Sequence, residues 1–313
     1  MKTASEWSVL ADPTMAAAKL AARVTPGTAV RAMEPMARHT TLRVGGPADL
    51  YVEPADEASL VQVLAFCREE KARLFILGRG SNLLVQDEGF RGVILSLKSP
   101  VFERVEWKDG RLVCGAGARL KTVAVTARRH GLAGLEFLEG IPGSVGGALR
   151  MNAGAMGFAT WDRVEQIRSM DFHGNAVIRK PADLEIGYRH CEGLRGQIAL
   201  ECVFTGHPDS PEAIGQRMLE HSRKRWASQP AAPSAGCAFK NPAQGSAGKI
   251  IDELGLKGLR VGGALVSREH GNFIINEGGA TARDVLELIG LLRERVREAR
   301  ALELQPEIEI LEP

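Results

Sequence analysis

The chain has few cysteines, and none of the spacings that would give them a structural job. Cys67, Cys114, Cys191, Cys202 and Cys237 form no C-x-x-C pair and no zinc spacing, and their odd number suits no disulfide framework. Free thiols in a reducing compartment are the expectation, and no metal site is expected. An excess of one charge is missing as well. The net charge is only +2, so no field exists to hold a polyanion, and nucleic acid is not expected as a partner. No apolar run approaches the roughly 20 residues that span a bilayer, which argues against membrane insertion. Near the N-terminus, Ala16–Val24 is interrupted by Lys19 and Arg23 and lacks the apolar core of a secretory signal, so the expected location is cytoplasmic. Internal repeats and low-complexity tracts are absent too.

What is present suits a globular protein. The 313 residues leave room for two or three domains at about 100–150 residues each. Residues 1–27 carry a short Ala-rich helical patch ending at Pro26-Gly27 and read as a lead-in. Ala55–Lys71 reads as a helix with Leu60, Val61, Leu64 and Ala65 on its buried face. Leu74–Leu77 is a compact buried strand and Gly92–Leu97 another. Phe102–Trp107 and Arg111–Cys114 flank Asp109-Gly110 as a hairpin, because Asp-Gly tolerates the positive φ of a tight turn. Leu120–His130 is a helix closed by Gly131. Val164–Phe172 and Ala176–Ile178 form a second hairpin, and Gln197–Phe204 a strand. After a break at His207–Pro211, Pro211–Trp226 and Ser246–Leu254 read as helices and Asn272–Asn276 as a strand. Thr281 caps the clearest helix, Thr281–Arg300, whose Val285, Leu288, Ile289, Leu292 and Val296 share one face. Leu302–Leu311 is a last strand broken by Pro306. Residues 39–205 are therefore α+β.

Two glycine-rich stretches carry the chemistry. Leu74–Leu77 runs into Gly78-Arg79-Gly80-Ser81-Asn82, where backbone N–H groups and the Ser81 hydroxyl could converge on an anion. The turn matches neither a Walker sequence nor the G-x-G-x-x-G fingerprint. Gly140–Gly154, GIPGSVGGALRMNAG, is the second. Its missing β-carbons would let a flat or charged ligand lie against the main chain, with Asn152 offering an amide at the mouth.

Five segments together resemble one family. GRGSNLLV (Gly78–Val85), GLEFLEGIPGSVGGALRMNAGAMG (Gly134–Gly157), GYRHC (Gly187–Cys191), QPAAPSAGCAFKNP (Gln229–Pro242) and LQPEIEIL (Leu304–Leu311) follow the order found in UDP-N-acetylenolpyruvoylglucosamine reductases. The first two are shared with a wider flavoprotein superfamily; the last three are more specific. The short connection from Tyr188 to Pro208 resembles the compact subtype, which lacks an extra tyrosine-bearing loop. The fold implied is α+β, with a two-part FAD-binding domain of the vanillyl-alcohol-oxidase/PCMH type and a C-terminal α/β substrate-binding domain. The implied boundaries are 28–98 and 99–207 for the flavin-binding parts and 208–301 for the substrate domain, with 302–313 returning to the active site.

The resemblance implies that NADPH reduces a non-covalent FAD, whose N5 then passes a hydride to the enolpyruvyl ether of UDP-N-acetylglucosamine. GRGSN holds no histidine, so a His-linked flavin is not expected from this loop. The implied flavin contacts are Arg43, Gly45, Gly78, Gly80, Ser81, Asn82, Gly140, Ile141, Pro142, Gly143, Ser144, Gly146, Gly147, Ala148, Asn152, Ala153 and Gly154. Tyr188, Arg225, Gln229, Lys240 and Asn241 match substrate positions, Arg225 being suited to the diphosphate. Arg189 and Glu307 match the positions that stabilise the enolate-like intermediate.

One departure stands out. The family's usual proton donor is a serine, and here that position is Cys237. A thiol titrates near about 8.5, much closer to neutrality than an alcohol, and can act as a general acid while it stays protonated. Two other readings share parts of the pattern. A flavin oxidase acting on an alcohol or hydroxy acid would carry the glycine loops but has no use for AFKNP and a late QPE. A binder that lost turnover with the serine would have had no reason to keep Arg189 and Glu307.

Overall fold

The computed structural model describes residues 9–313; the beginning of the lead-in, residues 1–8, lies outside the described residues. The chain divides into two compact units, the first built from residues up to Met33, Asp49–Arg79 and Arg91–Lys224. The second comprises Glu34–Ala48, Gly80–Phe90 and Arg225–Pro313.

The Ala-rich patch of the lead-in is the helix Pro13–Ala21, capped by Asp12. A four-stranded sheet follows, with Ala29–Pro35, Pro47–Glu53, Phe90–Ser96 and Leu74–Leu77 side by side in that order. The last two run parallel, Leu74 opposite Val93. The strand Ala29–Pro35 was not foreseen; its alternation of half-buried and exposed residues leaves little apolar signal. Leu74–Leu77 is a strand as expected, but only Leu77 is fully buried. The helix Glu57–Glu69 starts at Asp56, whose carboxylate accepts from Ser59 N–H at 2.7 Å. Its buried face is Leu60, Val63, Leu64 and Cys67, at the i, i+3, i+4, i+7 spacing, with Phe66 beside it; Val61 and Ala65 are only half-buried.

A five-stranded antiparallel sheet forms the rest of the first unit, in the order Ala176–Arg179, Val164–Asp171, Gln197–Phe204, Arg111–Gly115, Val105–Lys108. The expected Asp-Gly hairpin is present, with φ of 49° at Asp109 and 75° at Gly110, the two positive angles of a type I′ turn. Phe102 is not part of it. Pro100 starts the short helix Pro100–Glu103 instead, and buries Phe102. The helix Leu120–Arg129 packs through Leu120, Val123, Ala124 and Ala127 and stops at Gly131, φ 66°.

In the second unit, Ser234–Cys237, Phe273–Asn276, Ala264–Val266 and Arg260–Val261 form an antiparallel sheet. The helix Ala282–Arg300 covers its own apolar core with Val285, Leu288, Ile289, Leu292 and Val296, all buried as the periodicity predicted. Thr281 and Asp284 make the capping box. The last strand is shorter than expected. Only Glu309–Leu311 is regular, pairing parallel to Leu83–Val85, while Pro306 forms an isolated bridge to Phe239. Proline has no N–H to continue a ladder, so the pairing restarts beyond it. Among the described residues no helix is long and apolar enough to cross a membrane.

Candidate active site

In the first unit, Leu74–Leu77 delivers Gly78 against the start of the second glycine stretch. A β-carbon on Gly78 would lie 2.8 Å from Ser144 Oγ and 3.9 Å from Gly147 Cα. The two glycine segments thus meet, and glycine at 78 is what lets them. The second stretch is not an open loop. Ser144 begins a seven-residue helix, Val145–Met151, and its Oγ accepts from Gly147 N–H at 3.4 Å. The expected nest of free N–H groups is corrected accordingly. Val145 N–H donates to Ala118 O (2.9 Å), Gly146 N–H to Ala116 O (2.7 Å) and Ala148 N–H to Ser144 O (2.9 Å). Gly146 is small because Ala116 sits 3.2 Å from where its β-carbon would be. Gly147 is the open position, with only Ser144 Oγ at 3.5 Å from its missing side chain. Gly147, open on its side-chain face and close to Gly78, leaves room for a flat ligand against the main chain.

The remaining residues of this stretch bond to protein. Gly143 O accepts from Leu120 N–H (3.2 Å), and Ile141 N–H donates to Leu138 O (3.2 Å), just before Pro142 and just after the turn Glu136–Gly140. Asn152 adopts a left-handed conformation at the helix end. Its Nδ2 donates to Gly187 O at 3.1 Å and its Oδ1 accepts from Trp161 N–H at 3.3 Å. Ala153 O accepts from both the N–H and the hydroxyl of Thr160 (2.9 and 2.7 Å), and Gly154 pairs with Ala159.

Tyr188 and Arg189 form the turn of a small hairpin, Ile186–Gly187 against His190–Cys191. Tyr188 is exposed, and the Arg189 guanidinium lies 5.0 Å from the centre of its ring. Arg189 has φ 62°, a conformation uncommon for a residue with a side chain. Cys191 is buried, and burial raises its thiol pKa, so it is an anchor of the hairpin rather than a reactive group. Cys67, Cys114 and Cys202 are buried as well, with thiol pKa values raised by desolvation.

The second unit gathers a different set. Cys237 ends the strand Ser234–Cys237 opposite Phe273 and is half-buried. The two residues after it are clamped by buried Asn272: Phe239 N–H donates to its Oδ1 (2.9 Å), its Nδ2 donates to Phe239 O (2.8 Å), and Ala238 N–H donates to its carbonyl (2.8 Å). Glu307 N–H donates to Ala238 O (2.8 Å), and Lys240 N–H to Gln305 O (2.8 Å). Asn82 joins them, its Nδ2 donating to Glu307 O at 3.0 Å, while its own carbonyl accepts from Glu309 N–H at 3.0 Å. Ser81 O lies 3.7 Å from where a β-carbon on Gly236 would stand. Ser81, Asn82, Cys237, Lys240 and Glu307 are therefore neighbours.

The outlying positions have local ties. Asn241 Oδ1 accepts from Ala247 N–H (3.1 Å) at the start of the helix Ala247–Glu253. Arg225 O accepts from Gln229 N–H (2.9 Å), and the Arg225 guanidinium lies 6.0 Å from the Trp226 ring centre. A β-carbon on Gly45 would lie 2.9 Å from Val85 Cβ, and the exposed Arg43 has φ 58°. Arg189 and Tyr188 belong to the first unit; Cys237 and Glu307 belong to the second. Asn272 and Thr41, whose hydroxyl donates to Ser234 O at 2.6 Å, were not foreseen. Asn272 read only as the first residue of a strand and Thr41 carried no signal of its own, and their partners are 33 and 193 positions away.

Two family models match the chain. A model for the "UDP-N-acetylenolpyruvoylglucosamine reductase, C-terminal domain" matches residues 229–311, and one for an "FAD binding domain" matches residues 48–178. The chain is 44% identical to the UDP-N-acetylenolpyruvoylglucosamine reductase of Geobacter metallireducens over 89% of its length and 92% of that protein's. It is 42% identical to that of Geotalea uraniireducens over 90% and 94% of the two chains. The crystal structure of the Thermus caldophilus reductase is similar with a TM-score of 0.79 at 40% identity, covering 90% of this chain and 98% of that one.

Proposed function

We infer function from one premise: the chain belongs to the UDP-N-acetylenolpyruvoylglucosamine reductase family. It is an FAD-dependent oxidoreductase that uses NADPH to reduce the enolpyruvyl ether of UDP-N-acetylglucosamine, giving UDP-N-acetylmuramate for peptidoglycan synthesis. The observation that carries this is identity of 44% spread over nearly the whole of both chains, substrate-side domain included. A shared flavin domain alone would not choose a substrate. The enzyme works in the cytoplasm, where a nucleotide sugar and NADPH are both available.

When bound, FAD would supply the hydride-transfer chemistry between NADPH and the enolpyruvyl ether. Gly78, Ser81 and the segment Ser144–Ala148 would hold it, with residues 28–98 and 99–207 as the two flavin-binding parts and 208–301 as the substrate domain. Hydride arrival leaves negative charge beside the substrate carboxylate, and the chain's own residues answer it. The Arg189 guanidinium supplies fixed positive charge, and Glu307 supplies a hydrogen-bonded carboxyl. One such group is typically worth about 2.7–4 kcal/mol of transition-state stabilisation. The Cys237 thiol gives its proton to the adjacent carbon and is left as a thiolate, which solvent reprotonates. Its place beside Ala238, which accepts from Glu307, supports that role. Arg225 takes the diphosphate; Tyr188, Gln229, Lys240 and Asn241 take the rest of the nucleotide sugar.

Anaerobic stopped flow tests the reading. Protein reduced by one equivalent of NADPH is mixed with the enolpyruvyl UDP-sugar, and the flavin band is expected to return without oxygen. Flavin that stays reduced until air enters would overturn the assignment in favour of an oxidase.

A further inference from the structure

Asn152 has a different job from the flavin contact its motif suggests. It closes the helix Val145–Met151 with φ 40° and ψ 53°, and this left-handed turn swings its carboxamide away from the helix. Both ends of the amide find protein partners: Nδ2 donates to Gly187 O at 3.1 Å, and Oδ1 accepts from Trp161 N–H at 3.3 Å. Trp161 is buried, and its indole N–H donates to Leu149 O at 2.9 Å, so the amide hangs from a fixed frame.

Gly187 is the residue just before the Tyr188-Arg189 turn. The hairpin that carries this turn is short: Ile186 pairs with Cys191 and Gly187 with His190, and Glu192 N–H donates to Glu185 O at 2.9 Å beyond them. An isolated two-stranded ladder is marginal in water even when longer. Its tip is also strained, since Arg189 sits at φ 62°, where a β-carbon is penalised. A strained turn on a minimal ladder needs outside ties. Such ties include the buried Cys191 on one strand and the Asn152 amide on the other.

We propose that Asn152 is a positioning residue, which through the Gly187 carbonyl fixes the turn that presents Arg189. The proposal rests on the reading of Arg189 as the cation that stabilises the reaction intermediate. Asn152 touches none of the reacting atoms in this role. It couples the end of the flavin-side helix to the guanidinium, and it acts on the half-reaction with the enolpyruvyl substrate rather than on flavin reduction.

Two variants test this in the holoenzyme. Asn152→Asp keeps an acceptor for Trp161 N–H but has no donor for Gly187, and Asn152→Gly keeps the left-handed backbone without the amide. Both are expected to retain FAD and to be reduced by NADPH at the wild-type rate. Amide hydrogen exchange in residues 186–191 should rise, and reoxidation by the enolpyruvyl UDP-sugar should slow, each by about tenfold, the size of one lost hydrogen bond. In steady state kcat should fall while kcat/KM for NADPH stays constant. Unchanged exchange in the hairpin of both variants would overturn the proposal. So would loss of FAD from both, since that would make Asn152 a cofactor residue. If the wild-type reduced flavin did not react with the UDP-sugar, the functional reading would fail instead, and hairpin exchange would still decide the role of Asn152.

Discussion

Glu307 N–H donates to the carbonyl of Ala238 at 2.8 Å, so a carboxyl 70 positions away in sequence is held beside the residue that follows Cys237. The pairing is backbone to backbone and does not depend on the protonation of either side chain. The backbones that carry Cys237 and Glu307 thus keep their relation whatever the charge on either side chain.

Cys237→Ala should separate the two half-reactions. Flavin reduction by NADPH is expected to be unchanged, while turnover falls by about 10²–10⁴-fold, the usual worth of a positioned general acid. Cys237→Ser should restore most turnover and move the alkaline limb of the kcat profile upward, because an alcohol titrates far above a thiol. Normal turnover by the alanine variant would remove the thiol from the mechanism.

Glu136 and Arg217 should set part of the acid stability of the first unit. Glu136 is buried, which by itself raises its pKa, but N–H groups and the Arg217 guanidinium outweigh burial and hold it below the usual carboxylate range. A depressed folded pKa means stabilisation that is complete above the unfolded value of about 4.3 and disappears as pH falls through the folded value. Arg217→Ala should lower stability by about 1–3 kcal/mol at neutral pH, with a smaller difference from wild type at an acid pH below the depressed pKa of the folded carboxyl. Urea unfolding at the two pH values reads the difference.

Gly80 and Gly255 offer a matched pair. Both have positive φ, 64° and 68°, but a β-carbon on Gly80 would strike His39 O at 2.2 Å whereas nothing lies within 4 Å of Gly255. Gly255→Ala should cost about 1–2 kcal/mol, the backbone penalty alone. Gly80→Ala must also move backbone beside Ser81, so it should lose distinctly more stability and bind FAD more weakly. Thermal unfolding and flavin retention on gel filtration check both effects.

Asp87 caps the long C-terminal helix from outside. Its carboxylate oxygens accept from Ala282 N–H (2.8 Å) and Arg283 N–H (3.0 Å), in addition to the Thr281–Asp284 box. Asp87→Ala and Thr281→Ala should each cost about 0.5–2 kcal/mol. The first should also loosen the segment Gly80–Phe90 in hydrogen exchange, which the second should not.

Much of this was legible in advance because its cause is local. The strand Gln197–Phe204 and the helix Pro211–Trp226 have the bounds that their patterns predicted, and the Thr281 cap needs only residues three apart. The helix within Gly140–Gly154 was not foreseen because the five glycines and the proline of the stretch mask a short helix that tertiary contacts impose. Gly146 shows the reason: its N–H is taken by Ala116 O, a partner 30 positions upstream. The glycine at 80, expected to approach a ligand, makes room for the backbone of His39.

The order of the motifs, together with the cysteine at 237, determined from sequence alone which reaction family this is and where it departs from the usual serine. Residue types report chemistry directly, since an acid, a cation and a glycine turn keep their nature wherever they stand. Which groups are neighbours was decided only by the tertiary structure: Asn82 on Glu307, Asn272 on Phe239, Asn152 on Gly187. Each of these is an amide that could have faced a ligand or a carbonyl. For Asn272 burial made the choice, because the Phe239 carbonyl, removed from water, must find a donor within the fold.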